Sequence, residues 1–188
     1  MIFVIFVAFV PGAWRVARDA WQGQTMNLAY EELLRYTQEE RDKWRLWFGM
    51  HPEAMEVEVQ PGARFSTVGS LIDHIFLVER RHLQRLRGAP LDTRTGLSGR
   101  HVAPLFDYGA SVRRELEQFV SQIDEDAADE PRTFTVQSGG EFVLTPRKLL
   151  FHILLHETRH WAQIALALRR AALEPPGNHD LFYSRALK

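Results

Sequence analysis

Apolar residues recur at steps of three and four along four stretches of this chain, each bounded by residues that start or stop helices. The first stretch runs from about Asn27, its expected cap, to Gly49. It places Tyr30, Leu33, Leu34, Trp44, Trp47 and Phe48 on one face. The second opens on Ser66 as cap, carries Val68, Leu71, Ile72, Ile75, Val78 and Leu86, and stops at Gly88 and Pro90. The third begins near Pro104, follows Leu105, Tyr108, Val112, Leu116, Phe119, Val120 and Ile123, and is ended by "DEDAADEP". The fourth has the firmest limits: Thr145 can cap, Pro146 suits the first helical position, and Pro175-Pro176 close it near Glu174. Just before it, "TFTVQSGGEFVLT" alternates around Gly139-Gly140, the pattern of a small hairpin. Four amphipathic helices of about twenty residues predict an all-α, four-helix bundle.

The first 25 residues do not share this pattern. "MIFVIFVAFVPGAW" is apolar but too short to span a bilayer, which takes roughly 20 apolar residues. It lacks the basic start of a secretory signal, and Pro11-Gly12 interrupt any helix. Met26 comes immediately before the first helical pattern. We therefore expect residues 1–25 to be an upstream extension and 26–188 to be the bundle domain, with translation starting at Met26. An intact mass of the native protein that includes Ile2 to Thr25 would refute this.

Composition narrows the chemistry. A formal net charge of −1 gives no electrostatic ground for nucleic acid, and no stretch reads as a membrane span. Cysteine is absent, which removes disulfides, cysteine–zinc sites and a cysteine nucleophile together, and fits a cytoplasmic protein. Any metal must be held by His, Asp or Glu. Histidine is the conspicuous type, with eight residues, three of them in "HILLHETRHWAQ".

In that stretch His156 and His160 lie four apart, about 40° around the helix and about 6 Å along it. Two such imidazoles can hold one metal ion from a single helix. They follow a seam of Leu149, Ile153, His156, His160, Gln163 and Ala167, where unbonded imidazoles would be costly. His74, midway along the second helix, is the best third ligand. His152, one turn earlier on the same helix, reads as a bystander, and His82 as a solvated residue near a helix end. His51, His101 and His179 carry no spacing signal.

"HETRH" is also a literal H-E-x-x-H, the zinc-peptidase motif in which Glu157 would be the general base. The context argues against a peptidase. Gln163 and Leu166 stand where a metzincin has Gly and His, and only a short tail remains for a downstream acidic ligand. Glu157 is expected instead to orient a ligand or to pair with Arg159 or Arg169, the structural role being preferred. Asp73 and Glu79, flanking His74, read as solvated.

"LIDHIFLVERRHLQRL" followed by "PRKLLFHILLHETRHWAQIALALRRAALEPPGNHDLFYS" resembles the DinB-like superfamily, the damage-inducible four-helix bundles rather than the polymerase that shares the name. His74 matches the family's histidine on the second helix, and His156 and His160 match two on the fourth. Gln163, Leu168, Arg169, Pro175, Pro176 and Asp180 match the tail of the signature. The likeness runs from about Met26 to Ser184. Arg159 replaces a usual His and Ala162 a usual Gly; neither removes a ligand.

The resemblance implies a site of three histidines, His74, His156 and His160, with coordination positions left for water or substrate. Zinc suits neutral imidazoles best, with nickel, iron and manganese also compatible. It further implies a metal-dependent enzyme, a hydrolase or a transferase of low-molecular-weight thiols; some relatives use bacillithiol or mycothiol. The alternatives are a non-catalytic metal-binding protein of a stress response and an interaction bundle whose histidines form a polar network. Trp14, Trp21 and the aromatic first helix suggest a homodimer contact.

Overall fold

A computed structural model describes residues 29–62, 64–135 and 140–186. The apolar start, Met26, Asn27, Trp14 and Trp21 lie outside the described residues, as does the turn at Gly139. The elements are α1 (Tyr30–Met50), a 3-10 turn (Pro52–Glu56), α2 (Val68–Leu86), α3 (Val102–Val120), the short α4 (Glu125–Asp129), β1 (Arg132–Thr135), β2 (Glu141–Leu144), α5 (Pro146–Arg170) and a 3-10 turn (Leu181–Tyr183). The four long helices form the bundle, with α2 against α3 and α5, and α1 against the same two. The strands pair antiparallel as the hairpin, Arg132 opposite Leu144 and Thr135 opposite Glu141. Among the described residues no helix is long and apolar enough to cross a membrane.

Helix starts follow local hydrogen bonding. At α5, Thr145 Oγ1 accepts from the Lys148 N–H at 3.1 Å, as its sequence predicts. At α2 the cap is Thr67, one residue after Ser66. Thr67 Oγ1 accepts from Ser70 N–H, and Ser70 Oγ accepts from Thr67 N–H. Helix α3 begins at Val102, two residues before Pro104. Asp124 caps α4 by accepting from Asp126 N–H, so the acidic run forms a helix of its own rather than only a terminator.

Helix α5 stops four residues short of Glu174. Ala172 takes a left-handed φ of 58°, and Leu173 N–H donates back to Leu168 O at 2.9 Å. This termination normally uses glycine, which has no Cβ to collide with the carbonyl. Ala172→Gly is expected to stabilise the protein by about 0.5–1 kcal/mol and raise its melting temperature by about 2 °C. An unchanged or lower Tm in differential scanning calorimetry would contradict this.

The core is divided along the bundle. One cluster contains Trp44, Phe48, Ile72, Phe76, Phe106 and Trp161. The other contains Leu34, Leu83, Leu116, Leu149, Ile153 and Leu154. Between them lie four charges, one from each long helix: Arg41, Glu79, Arg113 and Glu157, none more than 4% exposed at the side chain. Arg41 is bonded to both Glu79 and Glu157. Arg113 donates to Glu79 Oε1 at 2.9 Å and to Glu157 Oε2 at 2.6 Å. Trp161 Nε1 donates to Glu157 Oε1, and Thr37 Oγ1 accepts from Arg113. Burial favours the neutral Glu157 carboxyl, but the two guanidiniums outweigh it and hold its pKa below the ordinary value. Gly109 lets α3 come close here: a Cβ would lie 2.8 Å from the Phe76 ring, and the Gly109 carbonyl accepts from Arg41.

Two expectations are corrected by this layer. Glu79 is a core residue rather than a solvated flanker. Glu157 pairs with Arg41 and Arg113, not with Arg159 or Arg169, because it points to the bundle axis while those arginines are exposed. Trp44, Trp47 and Phe48 are buried at 1%, 8% and 0% exposure, so these aromatic residues of the first helix belong to the core.

Candidate metal centre

Helices α2 and α5 pack side by side, and their facing flanks carry histidine. His74 comes from α2 and His156 and His160 from α5; one ring nitrogen from each lies within 4.8 Å of the other two. His156 Nε2 and His160 Nε2 are 3.0 Å apart. Two nitrogens bound tetrahedrally to one ion at about 2.0–2.1 Å would be about 3.3 Å apart, so little movement separates this arrangement from a chelate. The three rings are partly buried. His156 and His160 sit on the shoulder of α5, beside the axis-facing line of Ile153, Leu154, Glu157, Trp161 and Ile164. The seam expected through His156, His160 and Gln163 is therefore displaced: Gln163 is exposed, and Glu157 holds the central position.

Neighbouring groups set the tautomer, orientation and charge of these rings. His160 Nδ1 lies 2.6 Å from Gln163 Oε1. The amide oxygen can only accept, so the ring proton is on Nδ1 and the Nε2 lone pair faces the cluster. Phe65 stacks on His74 with ring centroids 4.0 Å apart. Burial, then the nearby His160, Arg64 and Arg81, push His74 down to about 4. Burial, then His160 and His74, push His156 down to about 2. Burial also lowers His160, against a raising effect from Gln163. All three are neutral near pH 7, the form that binds metal. Gln163→Ala is expected to weaken metal affinity about 10–100-fold, read by competition with a chromophoric chelator. Unchanged affinity would remove Gln163 from the site.

A cleft of about 340 Å³ opens beside His160 and Gln163, walled by Phe65, Leu71 and Leu166, with Arg64 and Arg170. No carboxylate lines it among the described residues. Glu157 cannot serve there as a base. Its oxygens are bonded to Arg41, Arg113 and Trp161 on the inner face of the helix, which excludes the peptidase role that "HETRH" spells.

The remaining histidines divide. His152 is exposed and lies outside the three-nitrogen cluster, as expected, although its ring is 5.7 Å from that of His156. His82 is not the solvated residue expected. It is partly buried, its ring is 5.2 Å from His152, and burial, then Arg85 and His152, lower it to about 3. Asp73 is likewise half-buried and accepts from Thr95. His51 stacks on Trp47 and His179 pairs with Glu40, both away from the cluster. The charge layer next to the site was missed from sequence, although each member falls on its helix's three–four spacing.

A sequence model of the DinB family matches residues 24–186. No curated relative matches the chain. The match spans nearly the whole of the bundle and contains all three clustered histidines, so the chain belongs to the DinB family.

Proposed function

We propose that His74, His156 and His160 bind one divalent metal ion, zinc before nickel, iron or manganese, and that the protein is a metal-dependent transferase of a small thiol. The carrying observation is the convergence of three neutral imidazole nitrogens, one of them from His160 on the wall of a cleft that has arginines and, among the described residues, no lining carboxylate. Three protein ligands leave room for a substrate atom, as in catalytic rather than structural sites. A divalent ion there would act as a Lewis acid that makes a thiol or water acidic near neutral pH.

The chain's own residues would do the rest. Gln163 holds the His160 proton away from the centre, and Phe65 fixes the His74 ring. Arg64 and Arg170 offer fixed positive charge to an anionic substrate group. A thiol suits this cleft better than hydrolysis, because among the described residues no lining carboxylate is placed to deprotonate water. In the transfer, the sulfur bonds to an electrophilic carbon while the leaving group departs with its electron pair; the thiol proton passes to solvent. The protein has no cysteine, so the thiol would come from a cosubstrate.

Metal analysis of untagged protein tests the first half. About one ion per chain is expected after reconstitution, lost in His156→Ala and in His74→Ala. Less than about 0.2 per chain would sink the reading. For the second half, the cobalt-substituted protein is titrated with cysteamine and watched for a sulfur-to-cobalt absorption band. Stoichiometric metal with no such band, and no thiol consumption with 1-chloro-2,4-dinitrobenzene, would leave a non-catalytic metal-binding protein.

A further inference from the structure

Two of the histidines not assigned to the metal, His152 and His82, continue from the cluster. From the cluster, His152 and then His82 step along the α2–α5 contact, with ring separations of 5.7 Å and 5.2 Å. They end in a cavity of about 270 Å³ under the hairpin, with Phe134, Phe142, Leu144 and Leu149 as its apolar walls and Arg85 and Lys148 as its charges. We propose that this cavity is a binding subsite for a small ligand that joins an arene-sized apolar body to a carboxylate-like anion.

The charge balance points to an anion. Arg85 Nε donates to the neutral carbonyl of Thr135, and Arg85 Nη1 lies 3.3 Å from His82 Nδ1. No carboxylate among the described residues pairs with Arg85 or Lys148, and none lines the cavity. Arg85 is thus a half-buried cation without a counter-ion; burial and the neighbouring Arg81 guanidinium push its pKa down. Histidine adds another donor. A guanidinium can only donate, so His82 Nδ1 must accept, and the proton of the neutral ring is on Nε2. The polar groups assigned here, Arg85, Lys148 and His82 Nε2–H, all donate.

Metal binding through His82 Nε2 would move that proton to Nδ1 and break the bond from Arg85, which argues against a second metal. Size and shape complete the match. An apolar cavity of about 150 Å³ accommodates benzene, so this one has space for an arene and a short arm. Phe142, 54% exposed, is an apolar wall that a ligand would cover. Binding needs no metal. That the ligand would lie one imidazole from the reacting centre, and so belong to a substrate, rests on the proposed function above.

Benzoate, 3-phenylpropionate and 4-phenylbutyrate, each with its neutral amide, are titrated into labelled, metal-loaded protein and followed by NMR. Shifts at Phe134, Leu144 and Leu149 are expected, with Kd of about a few millimolar for the best carboxylate. The amides should bind about tenfold more weakly. The double variant R85Q/K148E should remove the preference for carboxylate, and Leu149→Trp should fill the cavity and block both series. Should Leu149→Trp not fold, the charge variant carries the test, since Lys148 is exposed and Arg85 half-exposed.

Shifts confined to other surfaces, equal binding of acid and amide, or an unaltered preference in R85Q/K148E would overturn the proposal. So would a second equivalent of metal that disappears in His152→Ala. Metal content is measured on the same samples. Ligand shifts without metal would leave the subsite standing and the proposed function fallen; one metal per chain without ligand shifts would do the reverse.

Discussion

Replacing Glu157 with glutamine is expected to lower the unfolding free energy by about 3–5 kcal/mol. Glu157 is 1% exposed and takes hydrogen bonds from Arg41, Arg113 and the Trp161 indole. The intact layer holds two guanidiniums and two carboxylates, so its formal charge is zero. Glutamine keeps the volume but removes one negative charge, leaving an uncompensated positive charge between two apolar clusters. The cost comes from that stranded charge more than from lost bonds. The double variant Glu157→Gln with Arg113→Gln should therefore be less destabilised than the sum of the singles, because neutrality returns. Urea titrations of the four proteins measure this. A loss below about 1 kcal/mol for Glu157→Gln would contradict it.

Acid should destabilise the metal-free protein well before its carboxylates protonate. His82 has a pKa of about 3 in the fold and 6.5 as an ordinary imidazole, its burial being the main cause. Between those values the unfolded chain binds more protons than the folded one, so stability rises with pH. The contribution is fully present above about 6.5 and is lost as pH falls toward 3. From pH 7 to pH 5 it amounts to roughly 2 kcal/mol for His82. His156 and His74 act in the same direction, reduced by their partial exposure. Urea midpoints at pH 5, 6 and 7 should fall steadily with acid, and His82→Leu should flatten the trend. A midpoint independent of pH over this range is the contrary result.

Both effects come from polar groups placed where the apolar periodicity expects core. The periodicity was sufficient for the bundle, because a helix that buries one stripe needs only local spacing to reveal it. The stripe positions also contained Arg41, Glu79, Arg113 and Glu157, at helical steps from Trp44, Phe76, Leu116 and Trp161. A charge on a stripe is ambiguous from one helix alone. It becomes interpretable only when the other three helices supply its counter-charges.

The sequence by itself determined the four long helices, the hairpin, the α5 start at Thr145-Pro146, and the His156–His160 pair with His74 as its third candidate. The helices, the cap and the pair depend on hydrogen bonds or spacings within about one to four residues, and His74 on its place midway along the second helix and the family resemblance. Tertiary structure decided what those residues face. It brought His74 beside the α5 pair across more than eighty residues, and turned Glu157 inward to Arg41 and Arg113. It also extended the histidine row to His82 and the cavity under the hairpin. The reason is geometric: spacing along one helix fixes which side chains share a face, while the packing of neighbouring helices fixes what that face meets.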